Sequence, residues 1–266
     1  MDSTLEIPSA FGGYVMGAML LMIRVGALLS MIPGFRERAL PMRIRLLIAA
    51  MLAIMIDVAV GGMFVSVPEE MLTPLVMGTR EFLLGMTMGF AIRLLIGALQ
   101  AAGAAASYSM ALSMNTQIDP TSGDESMSLG SLFAVTGSLI FITIDGHHMV
   151  ILTLFEHVKD YPVGFQEFYL PGIDVIAKAG VDLSVTALLL ASPVVVVALT
   201  INIGLAFVGK VVPQVNIFAV GLSILMLAGF VSLEFSGDAV IQVVERGVEE
   251  LPEKMLELVG TPVGGD

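Results

Sequence analysis

Apolar positions in this chain come in long runs, broken by short polar stretches rather than alternating with polar sites. A helix that spans a bilayer needs about 20 mostly apolar residues. Six segments meet that requirement. Ile7–Phe35 carries the single charge Arg24, and Leu46–Pro68 carries Asp57. Met71–Gln100 carries Arg80, Glu81 and Arg93, and Ser126–Phe155 carries Asp145 near its end. Leu183–Gly209 and Val211–Leu233 carry no charge. The pattern predicts an all-α polytopic membrane protein of about six long helices. Two stretches fall outside it. Ala101–Glu125 begins apolar and ends as a turn. For six crossings to close it must not cross, so it is predicted to be re-entrant, which is tolerated only where backbone is buried in protein or lines a water-filled cavity. Glu156–Asp182, with Pro162, Gly164, Pro171 and Gly172, reads as an extramembrane loop.

Composition supports the same class. Hydrophobic residues make up 56% and charged residues 14% of the 266 positions, against about 25% charged in a soluble domain. A chain of this length cannot hide that much apolar surface in one globular core, so its solvent is lipid or other apolar protein. The absence of cysteine excludes disulfides and thiolate metal sites. The net charge of −12 argues against nucleic acid as a partner. Acids, not bases, occupy Met1–Glu6, so no signal peptide is expected and the first apolar segment should be retained. Arg36, Arg38, Arg43 and Arg45 crowd the first loop. By the positive-inside rule that loop is cytoplasmic, both termini lie outside, Lys210 lies inside and the 156–182 loop outside.

Charges inside the apolar runs are the first candidates for function. Arg24 lies 12 residues before Arg36 and Asp57 12 residues after Arg45, which in antiparallel helices places both about 18 Å from the basic loop. Equal depth suggests an ion pair, or separate contacts that fix helix register; a proton relay and contact to another subunit are the alternatives. Arg80 and Glu81 complete the set. Gly85 and Gly89 form a GxxxG step, with Gly78 before them and a run of small residues from Gly97 to Ala106 behind, the signature of close helix packing.

The stretch Ser107–Pro120 is too polar for a lipid-facing helix and too apolar for a simple loop. Met110 and Met114 share a helix face, and Asp119-Pro120 with Gly123 signals a turn. It reads either as a plug lining a passage or as a buried helix with a surface turn. Asp145-Gly146-His147-His148, with Glu156 and His157, has a metal-like composition, but adjacent histidines diverge on a helix, so helix-end polar contacts are the reading. In the last hairpin Pro213 ends a helix, and Gln214 and Asn216 can satisfy the freed backbone groups. Val240, Val244, Val248, Leu251, Met255 and Val259 then recur at helical spacing, opposite Glu245, Glu249, Glu250, Glu253 and Glu257. This predicts an amphipathic acidic helix broken near Pro252, suited to a protein partner. No phosphate loop, nucleophile triad or paired-acid site is visible, so neither an enzyme nor a cofactor is expected.

The run Val212-Pro213-Gln214-Val215-Asn216-Ile217-Phe218-Ala219-Val220-Gly221 resembles the PQ-x-N-x-F-x-x-G signature of the FliR family of flagellar type III export-gate proteins. Asp119-Pro120 with Gly123 resembles its DP-x-x-G region, and Gly146-His147-His148 its GGHH element, with Asp145 in place of the first glycine. Pro41–Arg45 fits the family's early cytoplasmic loop, and Lys210 stands where relatives often have arginine. The resemblance spans most of the chain, and the Pro213-Gln214 form leans flagellar rather than injectisome. It implies a FliP-like part over 1–182, with a plug at about 107–126, and a FliQ-like hairpin over 183–266. It implies a place in the inner membrane at the flagellar basal body, beside FliP and FliQ and in contact with FlhB, on the path of unfolded flagellar subunits. Met110, Met114, Asn115, Asp119 and Pro120 would then line or close the passage, and Lys210, Pro213, Gln214 and Asn216 would form a loop toward the gate regulator. The competing function is a proton-coupled secondary transporter using Arg24, Asp57, Arg80 and Glu81, although no convincing inverted repeat supports it. A purely structural scaffold is the third.

Overall fold

A computed structural model describes residues 6–35, 41–70, 72–112, 129–164, 173–212, 214 and 216–260. Among them run eight α-helices: α1 (Glu6–Leu29), α2 (Met42–Val60), α3 (Thr73–Ser109), α4 (Leu129–Thr143), α5 (Gly146–Asp160), α6 (Ile173–Val211), α7 (Ile217–Glu249) and α8 (Leu251–Val259). The described residues contain no strand. Among the described residues four stretches are long and apolar enough to cross a membrane: Phe11–Leu29, Thr73–Ser109, Asp174–Val211 and Ala219–Glu249. The pair α4 and α5, bent by 66° at the break between them, makes a fifth if counted as one broken span. The chain is a polytopic helical membrane protein, with four to five candidate spans among the described residues where six are expected.

The differences from the expected boundaries have local causes. Leu46–Pro68 is not one helix, because Gly61 and Gly62 both take positive φ, 99° and 85°. Gly61 caps α2 by donating its N–H to the carbonyls of Asp57 and Val58. The irregular stretch behind it lies on α1: Val65 donates to the Gly13 carbonyl at 3.2 Å, and Phe64 meets Tyr14 edge-on at 5.6 Å between ring centroids. A side chain at Gly17 would collide with the Met63 carbonyl. Ala101–Ser109 is the continuation of α3, not the start of a separate re-entrant segment. Ser126–Phe155 is split at Asp145, and helix intrudes on the expected 156–182 loop from both ends, as α5 runs to Asp160 and α6 starts at Ile173. The last apolar span and the first part of the acidic tail are one helix, α7. The break falls at Glu250, so that Pro252 sits in the first turn of α8, where its missing N–H is harmless.

Contacts divide the chain into two compact units. One comprises residues 1–93, 145–176 and 248–266, and the other 94–144 and 177–247. In the first, α2 lies along α1 and buries Ala49, Ala53 and Ile56, the two alanines being small enough to allow a close approach. Helix α8, at 9 residues, is too short to be stable by itself. It forms by burying Leu251, Met255, Leu258 and Val259 in contact with α5, leaving Glu253 exposed.

In the second unit the end of α3 meets α4 backbone to backbone, since a Cβ on Gly103 would collide with the Leu129 carbonyl and come within 2.8 Å of Gly130 Cα. Pro193 sits inside α6 and frees the Leu189 carbonyl four residues earlier. The Ser192 hydroxyl donates to that carbonyl at 2.7 Å, so the helix continues through the proline.

Candidate functional site

Within the first unit, Arg24 of α1 and Glu81 of α3 are each only 1% exposed. Arg24 Nε donates to Glu81 Oε2 at 2.6 Å, a charge-assisted bond of the stronger kind. Arg24 Nη1 donates to the Tyr161 carbonyl at 3.0 Å and lies 3.4 Å from His157 Nδ1. A guanidinium has no acceptor, so this contact makes Nδ1 the acceptor and places the imidazole proton on Nε2. His157 is 2% exposed, and its ring stacks on Tyr161 with centroids 5.3 Å apart. Glu81 Oε1 accepts the N–H of Gly164 at 3.2 Å. Gly164 has φ 81°, and a Cβ there would sit 3.1 Å from both Met77 and Val65, so no other residue fits easily. The cluster joins α1, α3, the end of α5 and the turn that follows it.

The backbone allows the pairing. A Cβ on Gly85 would collide with the Arg24 carbonyl and lie 2.8 Å from Ala27 Cβ, and one on Gly89 would lie 2.6 Å from Met31 Cβ. Glu81 precedes Gly85 by one turn and shares its helix face, so the GxxxG step that seats α1 also carries the carboxylate to the guanidinium. Of the two readings offered for Arg24 and Asp57, an ion pair or separate contacts, the structure shows separate contacts. Asp57 Oδ1 accepts the Met63 N–H at 2.8 Å, and its carbonyl accepts from Gly62 at 2.8 Å, so Asp57 shapes the turn after α2. Arg80 is partly buried beside Glu81. The sequence presents His157 only as part of a metal-like group. Among the described residues no three His, Asp or Glu side chains converge as metal ligands, and His147 Nε2 lies 4.0 Å from Asp145 Oδ1.

In the second unit Met110 is fully buried with Ala106, Leu129 and Val194, and Leu112 and Leu233 pack against this group. It occupies a notch on α7 that exists because residue 229 is glycine, where a Cβ would come within 2.6 Å of Met110 Cε. Helix α3 closes there in a Schellman motif. Leu112 donates to the Ser107 carbonyl at 3.0 Å and Ala111 to the Tyr108 carbonyl at 3.1 Å, with Ala111 at φ 58°. Met114, Asn115, Asp119 and Pro120 lie outside the described residues, as does Pro213. Lys210 and Gln214 are exposed. Asn216 is the N-cap of α7, its Oδ1 accepting the Ala219 N–H at 3.3 Å.

Asp145, between α4 and α5, also has φ 58°, and its side chain is exposed. Its carbonyl accepts the His148 N–H at 2.9 Å, which starts α5.

The profile of the family described as bacterial export proteins, family 1, matches residues 15–251. The chain belongs to that family. It is similar to the flagellar biosynthetic protein FliR of Aquifex aeolicus, 31% identical over 227 residues, 84% of this chain and 86% of the relative. The FliR of Pectobacterium carotovorum is 28% identical over 211 residues, 79% and 80% of the two chains, and that of Bacillus subtilis 27% over 272 residues, 98% and 99%. The chain is therefore a FliR-family membrane protein of flagellum biogenesis and protein transport. The break between α4 and α5 needs a left-handed residue at position 145, where the sequence resemblance leads us to expect glycine. Asp is among the side chains that tolerate this conformation; alanine at 111 does so less well. Ala111→Gly should stabilise the detergent-solubilised chain by about 1 kcal/mol, and Asp145→Gly by less, because Gly removes the left-handed penalty at the cost of unfolded-state entropy. Thermal melts followed by circular dichroism check the order.

Proposed function

We propose that the chain helps form and close the passage of the flagellar type III protein export gate, through which unfolded flagellar subunits cross the inner membrane at the basal body. FliP- and FliQ-type proteins would be its neighbours, a FlhB-type regulator would contact the loop around Lys210, Pro213, Gln214 and Asn216, and residues 107–126 would obstruct the passage. The observation that carries this reading, beside the family, is a mismatch of length. Helices α3, α6 and α7 hold 37, 39 and 33 residues, about 55, 58 and 50 Å at 1.5 Å per residue, whereas the hydrocarbon core of a bilayer is about 30 Å thick. Tilt alone does not absorb such an excess. Only 28% of the apolar windows of α6 and α7 is buried within the chain. Lipid can cover one bilayer-length window of each helix, but not the apolar length beyond it, and we read other apolar helices standing beside that excess, as in a multi-subunit gate, as its cover. The mechanism is steric and conformational, with no bond chemistry.

The test is purification of tagged chain from motile cells in mild detergent, with and without residues 110–114. The wild type should carry FliP- and FliQ-type proteins in one discrete complex. The deletion should keep that complex while raising ion leak across the membrane. A monomer that binds a small solute, or an intact complex with unchanged leak and normal secretion in the deletion, overturns the gate reading.

A further inference from the structure

Arg24 Nε and Glu81 Oε2 hold the buried ion pair together, and the outer atoms of both side chains reach one short piece of backbone. Arg24 Nη1 donates to the Tyr161 carbonyl at 3.0 Å, and Glu81 Oε1 accepts the Gly164 N–H at 3.2 Å. A donor and an acceptor of the pair thus grip an acceptor and a donor on the same turn of chain. Tyr161 makes the closing helical bond of α5, to the His157 carbonyl at 2.8 Å. Pro162, which cannot continue the helix, is exposed. Val163 is buried, and Gly164 turns over Val65 and Met77. Two hydrogen bonds, one valine and one glycine seat are a small set of contacts, of the kind that opens locally without global unfolding. The seated turn also has a cost at its root. His157 Nδ1 faces Arg24, while its Nε2 is buried with no hydrogen-bond partner among the described residues. A buried N–H without an acceptor gives up its bond to water and gains nothing in return. The imidazole is stacked on Tyr161, so lifting Tyr161 uncovers it.

We propose that residues 161–164 form a strap latched onto the Arg24–Glu81 pair and poised to open. The pair is the catch, the space over Val65 and Met77 is the seat, and the unpartnered His157 donor biases the strap toward release. In the open state Arg24 and Glu81 stay bonded to each other. The Tyr161 carbonyl and the Gly164 N–H exchange their partners on the pair for water, and His157 Nε2–H gains the acceptor it lacks when the strap is closed. Opening therefore loses packing at Val163 and Gly164 but leaves fewer polar groups unsatisfied than closure does. A buried ion pair is in itself weak evidence for stability; here its outer atoms decide where a turn of backbone rests. The competing outcome is a turn that is a fixed part of the first unit and moves only when α1 and α3 separate.

Hydrogen exchange at single-amide resolution, on the full chain in nanodiscs and relative to intrinsic rates, reads the strap directly. The reference amides are those of Leu21 and Leu28 in α1 and of Met88 and Ile92 in α3, all fully buried residues. In the wild type the Gly164 amide should exchange faster than all of them. Two variants should push the strap in opposite directions. Gly164→Ala puts a Cβ 3.1 Å from both Met77 and Val65 at a left-handed position, and should speed exchange of amide 164 about tenfold while leaving the reference amides unchanged. Replacing His157 by β-(4-thiazolyl)alanine keeps a nitrogen at the δ1 position and puts sulfur where the Nε2–H stood. That change should slow Gly164 exchange about tenfold. A wild-type Gly164 amide no faster than the reference amides overturns the strap. So does acceleration of the reference amides together with amide 164 in Gly164→Ala, which would show α1 and α3 parting with the turn. An unchanged or faster Gly164 rate in the thiazolyl protein overturns the role given to His157.

Discussion

Arg24→Met should lower the stability of the detergent-solubilised chain by about 3–5 kcal/mol, because it strands the Glu81 carboxylate without its counter-charge in a site closed to water. Glu81→Gln should cost a similar amount from the other side, leaving the guanidinium with neutral partners only. The double change Arg24→Met with Glu81→Met should recover most of the loss, since a buried pair replaced by apolar groups of similar volume is often close to neutral. Arg24→Lys should fall between, because an ammonium cannot donate in the fork that reaches Glu81, His157 and the Tyr161 carbonyl together. Thermal melts in one detergent measure all four. A double variant as unstable as the worse single variant would show that the cluster contributes geometry that apolar packing cannot replace. Single variants as stable as the wild type would show that Arg24 reaches water and is not buried as described.

Gly85→Ala should destabilise by about 1–3 kcal/mol although it adds one methyl group. The new Cβ meets the backbone carbonyl of Arg24, which cannot swing aside as a side chain would, so α1 and α3 must separate and the Arg24–Glu81 bond must lengthen. The same substitution at Gly237, where a Cβ meets nothing within 4 Å, should stabilise by about 0.5–1 kcal/mol, since glycine is a poor helix residue. Opposite signs for the two variants in parallel melts confirm the close approach. Two changes of like sign and size would refute it.

The extent of legibility follows the physics of each signal. Long apolar runs announce helices because hydrophobicity sums over many residues, and α1, α3, α6 and α7 were visible for that reason. Breaks depend on one or two backbone angles. Gly61-Gly62 offered a readable stop, whereas Asp145 did not, since a left-handed aspartate looks in sequence like any polar residue. The continuity of α7 through Ser232 and Glu234 into the acidic tail was hidden, because a drop in hydropathy resembles a boundary even where the helix continues. The intramembrane arginine is legible, but equal depth leaves an Asp57 pair and separate contacts both open. The better guide was the helix face: Glu81 stands one turn before Gly85, and a carboxylate on a small-residue stripe is carried to whatever the stripe contacts. His157 and Tyr161 had no such signal, because their approach to Arg24 depends on the tertiary course of the chain after α5. Of the segment expected to plug the passage, residues 107–112 close α3, with Met110 packed under Gly229.

The contacts of Gly85, Gly89 and Gly103 have a consequence for how this chain can vary by descent. A leucine in the core can drift by single-base changes to methionine, valine, isoleucine or phenylalanine and keep much of its volume. Every amino-acid-changing single-base substitution of a glycine codon introduces a Cβ. These positions therefore have no neighbouring codon that preserves the contact, and the seams they line are inherited as absent atoms, which offer gradual mutation no intermediate step.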